Sequence, residues 1–174
     1  MNTLLDKTTS PAQSPAAIPF TQTKTLANNH ALAALATRVF LGVVVFPHGA
    51  QKLLGWFGGY GFSGTMQYFT GTVGLPWIVG FGVILLESVG ALALIAGLGT
   101  RLLAGAYALL ALGITLTTHL EYGFFMNWFN NQPGEGYEYF LLWLGLATSL
   151  ALTGGGKYAL DARIRRRKAE AVAA

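Results

Sequence analysis

Residues 77–97 form a continuous apolar run, WIVGFGVILLESVGALALIAG, in which Glu87 is the one charged residue. A helix that crosses the hydrocarbon core of a bilayer needs about 20 such residues. Three further apolar stretches of similar length lie at residues 31–54, 102–119 and 137–153. Because these stretches are continuous rather than alternating, they favour helices over the strands of a barrel. We therefore predict an all-α integral membrane protein, a bundle of four transmembrane helices.

The composition agrees with a membrane protein, because 53% of the 174 residues are hydrophobic and only 10% are charged. Much of the net charge of +4 lies in residues 157–168, directly after the last apolar stretch. A basic cluster in that position suits anionic lipid better than nucleic acid. We expect the lipid bilayer as a partner and no nucleic acid. The absence of cysteine excludes disulfides, thiolate nucleophiles and Cys-ligated metal clusters.

The two ends of the chain differ from its apolar centre. Residues 1–29 are polar, contain three prolines and offer little apolar surface, so we predict a disordered tail. The four-helix domain is expected over residues 30–161, and a basic tail over residues 162–174. Cytoplasmic segments retain Lys and Arg, and with both termini inside only Lys52 would lie on the outer side. The inner basic residues would be Lys7, Lys24, Arg101, Lys157, Arg163, Arg165, Arg166, Arg167 and Lys168. We predict a multi-pass protein of the bacterial inner (plasma) membrane with both termini in the cytoplasm and aromatic loops on the outer surface.

Glu87 lies in the middle of the second predicted span, where an ionised acidic residue costs about 3 kcal/mol. Such a residue needs a partner or a proton. At 100° per residue, Gly80, Gly90 and Ala91 share its helix face, and small residues permit close helix approach. We expect Glu87 to point into the bundle. A packing or assembly role, with Glu87 paired to an Arg, remains the alternative to a chemical role.

Polar side chains on the other predicted spans are spaced so that several can meet at one depth. Arg38, His48 and Lys52 fall within one arc of the first span. His119 ends the third span and Glu138 begins the fourth. We expect all of these except Arg38, which belongs to the inner half, to lie near the outer surface. Interfacial positions without chemistry are the alternative for each histidine.

These residues are the candidate site. The predicted catalytic residues are Glu87, His48 and His119, and the predicted ligand-binding residues are Arg38, Lys52 and Glu138. No metal site is predicted, because no His-based zinc signature is present. Haem is disfavoured, since no two histidines are stacked within one helix. The segment GWFGGYG lacks the Lys-Ser/Thr pair of a phosphate loop, which disfavours nucleotide binding.

The segments that carry these residues resemble the DoxX family of small membrane proteins over residues 31–161. They are RVFLGVVVFPHGAQKLLGWFGGYGFSGT, GLPW, LLES and GEGYEYFLLWLGLATSLALTGGGKYALD. The resemblance implies four transmembrane helices and an association with quinol-linked redox chemistry, in a family of mixed functions. The family pattern carries over to Arg38, His48, Lys52 and Glu87, and further to His119, Glu138 and Asp161.

Our leading hypothesis is a redox-associated inner-membrane subunit that holds a quinone-like ligand in the bundle. His48 or His119 would hydrogen-bond a ring oxygen, and Glu87 would exchange a proton. Quinone is the cofactor that this hypothesis implies. Since the chain has no group that holds electrons, a redox or peptide-modifying protein partner is expected, and a homo-oligomer stays open. The alternatives are a non-catalytic anchor or assembly partner, and a small metal or solute transporter.

Overall fold

The computed structural model describes residues 20–173, which form helices joined by turns and loops, with no strand among them. Helix α1 covers Phe20–Leu54, and its part Lys24–Leu54 is long and apolar enough to cross a membrane. Residues 20–29 of the predicted disordered tail are therefore helical, and the rest of that tail lies outside the described residues. A short helix α2, Gly61–Gln67, follows in the first aromatic loop and continues as a π-helical turn, Tyr68–Thr72.

Helix α3, Trp77–Ala96, is the second long apolar helix. It begins after Pro76, which is well suited to a helix start, and ends at Gly97, whose φ of 78° is left-handed. A π-helical turn, Leu86–Gly90, interrupts its regular hydrogen bonding. This turn contains Glu87.

Helix α4, Thr100–Tyr122, is α-helical to Ile114 and ends in a π-helical and then a 3-10 turn. Helix α5 covers Glu138–Thr153, and helix α6 covers Leu160–Ala173 in the basic tail. By length and composition α1, α3 and α4 can each span a membrane, while α5 is apolar but only 16 residues long. The predicted all-α class is confirmed, and the architecture is that of a multi-pass helical membrane bundle.

The bundle packs α1 against α3 and α4 against α5, with α1 also contacting α5. Close approach of α1 to α3 depends on glycine, because a Cβ atom on Gly49 would lie 2.2 Å from the carbonyl oxygen of Glu87. The core is small and partly aromatic, with Val45, Leu94 and Tyr107 fully buried. Large apolar side chains elsewhere on the same helices are exposed, as expected for a surface that faces lipid rather than water.

Candidate functional site

A buried ion pair joins α1 to α3. The ammonium Nζ of Lys52 lies 2.5 Å from Oε2 of Glu87. Glu87 is 2% exposed, so its carboxylate points into the bundle as predicted, whereas the Lys52 side chain is 25% exposed. The partner of Glu87 is thus a lysine rather than the arginine of the packing alternative. Both charges are compensated at a depth where an isolated charge would be costly.

The π-helical turn positions Glu87. In such a turn the backbone bonds run to the fifth residue, so the helix carries an extra residue that redirects its side chains. Tyr107 on α4 donates its hydroxyl proton to the carbonyl oxygen of Leu86 at 2.5 Å. Ser88 donates to the carbonyl of Ile84 at 2.6 Å. These bonds occupy backbone acceptors around Glu87, so the turn is held by its neighbours.

A cavity of about 560 Å³ lies beside the ion pair, between α1, α3, α4, α5 and the loop before α5. Its walls are largely apolar, with a few ionisable groups. They include Val44, His48, Lys52, Glu87, Ile114, His119, Met126, Glu135, Tyr139, Phe140 and Trp143. The structure therefore brings together four of the six predicted site residues: Glu87, His48, His119 and Lys52.

Two hydrogen-bonding groups in the cavity wall have no partner among the described residues. They are the hydroxyl of Tyr139 and Nε1 of Trp143, both buried. The two residues are one turn apart on α5 and so share a face. The Trp143 ring is 5% exposed, and its N–H group can only donate. Buried polar groups normally have partners, so this wall can donate hydrogen bonds to an acceptor held in the cavity.

Sequence reasoning missed Tyr139 and Trp143. Aromatic residues at the start of a span ordinarily lie at the membrane interface. For that reason these two were not considered as residues of the cavity wall. Tyr139 and Trp143 are four residues apart at the start of α5, and Trp143 belongs to the core together with Phe140. This spacing was the one sequence feature that indicated a shared, inward-facing side of the helix. Whether these side chains face the cavity depends on how α5 packs against α4, and the sequence of α5 alone does not define that packing.

His119 is fixed by its neighbours. Its Nδ1 lies 2.7 Å from the carbonyl oxygen of Glu135, and its ring centroid lies 4.5 Å from that of Phe140. Since a carbonyl only accepts, Nδ1 carries the proton in this bond. In the neutral ring Nε2 is then the hydrogen-bond acceptor. His48, by contrast, is exposed on the side of α1 that borders the cavity.

Glu138 begins α5 as expected but does not line the cavity. Its Oε1 accepts a hydrogen bond from the backbone N–H of Met126 at 3.0 Å, so it ties the preceding loop to the start of α5. Glu135 lines the cavity instead, and its Oε2 accepts from the backbone N–H of Asn127 at 2.7 Å. The loop folds back over α5, and this fold could not be inferred from helical spacing.

Arg38 also lies away from the cavity, so it does not act as a counter-charge to Glu87 or Glu138. Its buried guanidinium donates to the carbonyl oxygen of Ile95 and, at 2.9 Å, to that of Tyr158. Both carbonyls belong to segments near the α3–α4 turn. Arg38 therefore joins α1, the end of α3 and the segment before α6 at the far end of the bundle.

Asp161 reinforces the same end. Its two carboxylate oxygens accept hydrogen bonds from the backbone N–H groups of Gly99 and Thr100, at 2.8 and 2.9 Å, and so cap the start of α4. Burial opposes ionisation of Asp161, but these bonds and the charge of Arg165 outweigh it and lower the pKa of the carboxyl group. Asp161, to which the family pattern carries over, thus has a structural role in this bundle.

No group of three or more His, Asp or Glu side chains within residues 20–173 is arranged to hold a metal ion. The ionisable groups at the cavity are Lys52, Glu87, Glu135 and the two histidines, and Tyr139 and Trp143 add buried hydrogen-bond donors. An apolar molecule with acceptor oxygens matches this set of groups.

Fold and site together define a small multi-pass helical membrane protein with an ionisable, largely apolar cavity between its helices. The model of the DoxX family matches residues 33–120, about half of the chain. The chain belongs to the DoxX family. It is similar to a protein of Bacillus subtilis (strain 168) named "Putative oxidoreductase CatD", with 32% identity over 127 residues that cover 73% of this chain and 83% of that protein. No solved structure gives a significant match.

Proposed function

We propose that this protein is a redox-associated subunit of the membrane that binds a quinone-type ligand in the cavity beside Lys52 and Glu87. The observation that carries the proposal is a pair of buried donors, Tyr139 and Trp143, that have no partner within residues 20–173 and lie in a largely apolar wall next to a partly buried ion pair. The name of the Bacillus relative, an oxidoreductase, supports a redox setting.

The shape and chemistry of a quinone suit these walls. Its flat ring is apolar and packs against aromatic faces such as those of Phe140 and Trp143, while its carbonyl oxygens accept hydrogen bonds. The N–H of Trp143 and the hydroxyl of Tyr139 would donate to one of these oxygens. A cavity of about 560 Å³ is within the range of small-molecule sites.

Reduction of a quinone to a quinol consumes two electrons and two protons. The electrons would come from a flavin, haem or metal centre of a partner protein, because the side chains of this chain do not carry them. The protons would pass through the ion pair of Lys52 and Glu87, with His48 and His119 as the proton-exchanging groups at the border of the cavity. This assigns proton transfer to this chain and electron supply to its partner.

The proposal also includes the orientation of the protein in the membrane. With both termini in the cytoplasm of a bacterium, the cavity would lie in the outer half of the inner membrane. The basic residues after α5 and Arg101 in the α3–α4 turn favour this orientation. Quinol formed there would exchange protons with the outer side.

Binding of a radiolabelled short-chain quinone analogue to the protein in nanodiscs tests the proposal. Ile114→Trp would fill the cavity and is expected to reduce binding at least tenfold. Leu109→Trp, on the exposed face of the same helix, is the matched control and should leave binding unchanged. Failure of the wild-type protein to bind any analogue, together with the absence of quinone from its lipid extract, would refute the proposal.

A second candidate function is a non-catalytic anchor for a partner enzyme. The loop before α5 favours it, because Trp128 is 80% exposed and Phe129 is similarly exposed. If Trp128→Ser and Phe129→Ser abolish the activity of an associated complex while quinone binding persists, the loop is a docking surface. If Glu87→Gln abolishes activity in a complex that still assembles, the chemical role is favoured.

A further inference from the structure

A second pocket, of about 280 Å³, lies at the end of the bundle opposite the cavity. It forms where the α3–α4 turn meets the glycine-rich loop after α5 and the first turns of α6. Two arginines from separate segments line it, Arg101 at the start of α4 and Arg165 on α6. Neither the proposed quinone site nor the hydrogen bonds of Arg38 involve this pocket.

The glycine-rich loop shapes one wall. Gly154 and Gly156 have φ values of 78° and 72°, so the loop turns in a way that side chains with a Cβ atom rarely adopt. A Cβ atom on Gly154 would lie 3.0 Å from Nε of Arg101. The side chain of Arg101 therefore passes close to the loop backbone at the edge of the pocket.

Both guanidinium groups can contact a ligand, although the charge of Arg165 also acts on Asp161. Within residues 20–173, Arg101 and Arg165 make no hydrogen bond or salt bridge. Their neighbours are engaged, since Lys157 donates to Asn28 and Arg166 donates to the carbonyl of Lys157 at 3.2 Å. The carboxylate in the same pocket, Asp161, already accepts the N–H groups that cap α4. The pocket thus keeps an excess of positive charge.

An apolar surface lies beside the two arginines of the pocket. Leu102 lines the pocket and is 81% exposed, and Leu152 is exposed nearby at the end of α5. A free phosphate ion would use the arginines only. A phospholipid would use both features, placing its phosphate between two guanidinium forks and an acyl chain along the leucines.

We propose that Arg101 and Arg165 form a specific site for the phosphate group of an anionic phospholipid. The lipid would fasten α6 to the bundle at the membrane surface, because it would contact α4 and α6 at once. Basic pockets at the ends of membrane helices are suited to such headgroups. This site is distinct from the general attraction of the basic tail to the membrane.

Native mass spectrometry of the full chain in detergent tests the site, with phosphatidylglycerol compared with phosphatidylcholine of the same acyl chains. Wild-type protein should retain the anionic lipid preferentially. Arg101→Gln/Arg165→Gln should lower its affinity roughly tenfold or more, since each basic residue contributes about 1 kcal/mol at such a surface. The matched control is Arg163→Gln/Arg167→Gln, which removes the same charge from α6 outside the pocket and should have a much smaller effect.

Three results would overturn the proposal: equal losses in both double variants, equal retention of the two lipids, or full competition by millimolar inorganic phosphate. The last result would assign the pocket to a soluble anion. Arg165→Gln alone serves as a second variant, because Arg165 lies on an exposed helix and its loss should leave the fold intact. Circular dichroism of each variant verifies the helical content.

Discussion

The ammonium group of Lys52 lies 2.5 Å from the carboxylate of Glu87, and the two helices that carry these residues approach each other at Gly49. The pair places one positive and one negative charge beside a largely apolar cavity, so the two charges compensate each other. Helix contact and chemistry thus depend on the same few residues of α1 and α3.

Removal of one member of the pair should destabilise the protein more than removal of both. Lys52→Met leaves the buried Glu87 without a partner, and we expect a loss of about 2 kcal/mol, reduced from the fully buried case by the partial exposure of Lys52. Lys52→Met/Glu87→Leu should fall within about 1 kcal/mol of wild type. Unfolding by SDS in mixed micelles, followed by circular dichroism, measures both. A Lys52→Met/Glu87→Leu variant that is less stable than Lys52→Met would contradict a coupled pair.

Gly49→Ala should separate α1 from α3. The new methyl group would lie 2.2 Å from backbone atoms of Glu87, which cannot move without displacing the helix, so we expect a loss of about 2 kcal/mol or more. Gly82→Ala is the matched control, because a Cβ atom there meets nothing within 4 Å and alanine is the better helix former. The same SDS titration compares them. Equal stability of the two variants would show that the helix contact is not tight.

Tyr139→Phe should separate ligand binding from stability. Within residues 20–173 the hydroxyl has no hydrogen-bond partner, so its removal should leave stability unchanged or raise it by up to about 1 kcal/mol. Affinity for a quinone analogue should fall about fivefold, the effect of one neutral hydrogen bond. Equilibrium binding and SDS unfolding of the same preparation give the two values. Parallel loss of both would indicate a structural role instead.

Asp161 should make the stability of the bundle sensitive to acid. Its pKa is lowered in the folded protein, so its stabilising contribution is complete above the ordinary aspartate pKa of about 3.9 and is lost as the pH falls through the lower folded value. Asp161→Asn should therefore have a lower melting temperature than wild type at pH 7. The difference should shrink in strong acid. Melting curves between neutral and acidic pH test this, and a difference independent of pH would contradict it.

The proposed cytoplasmic location of the termini can be tested with single cysteines, because the natural chain has none. Ser63→Cys in α2 and Ala169→Cys in α6 are both at exposed positions. An impermeant maleimide added to intact bacterial cells should label the first and label the second only after the cells are broken. The opposite pattern would invert the proposed topology and place the quinone cavity in the inner half.

Much of the candidate site followed from spacing along single helices. Lys52 and His48 fall one turn apart, and Glu87 had to face protein because lipid does not solvate a charge. The hydrogen-bond partners of Glu138 and Arg38 were not predicted. Glu138 bonds to a loop that folds back on it, and Arg38 bonds to backbone carbonyls from α3 and from the segment before α6. Both sets of contacts join separate segments of the chain, so helical periodicity within one segment does not predict them.

By itself the sequence determined that the chain is helical, that it enters a membrane and that Glu87 lies inside the bundle. These are properties of single segments, set by the absence of water for the backbone and for charge in a bilayer. Only the tertiary structure decided that Glu87 pairs with Lys52, and that Tyr139 and Trp143 present free donors to a cavity. Those are relations between helices, and they depend on how small residues such as Gly49 let the helices pack.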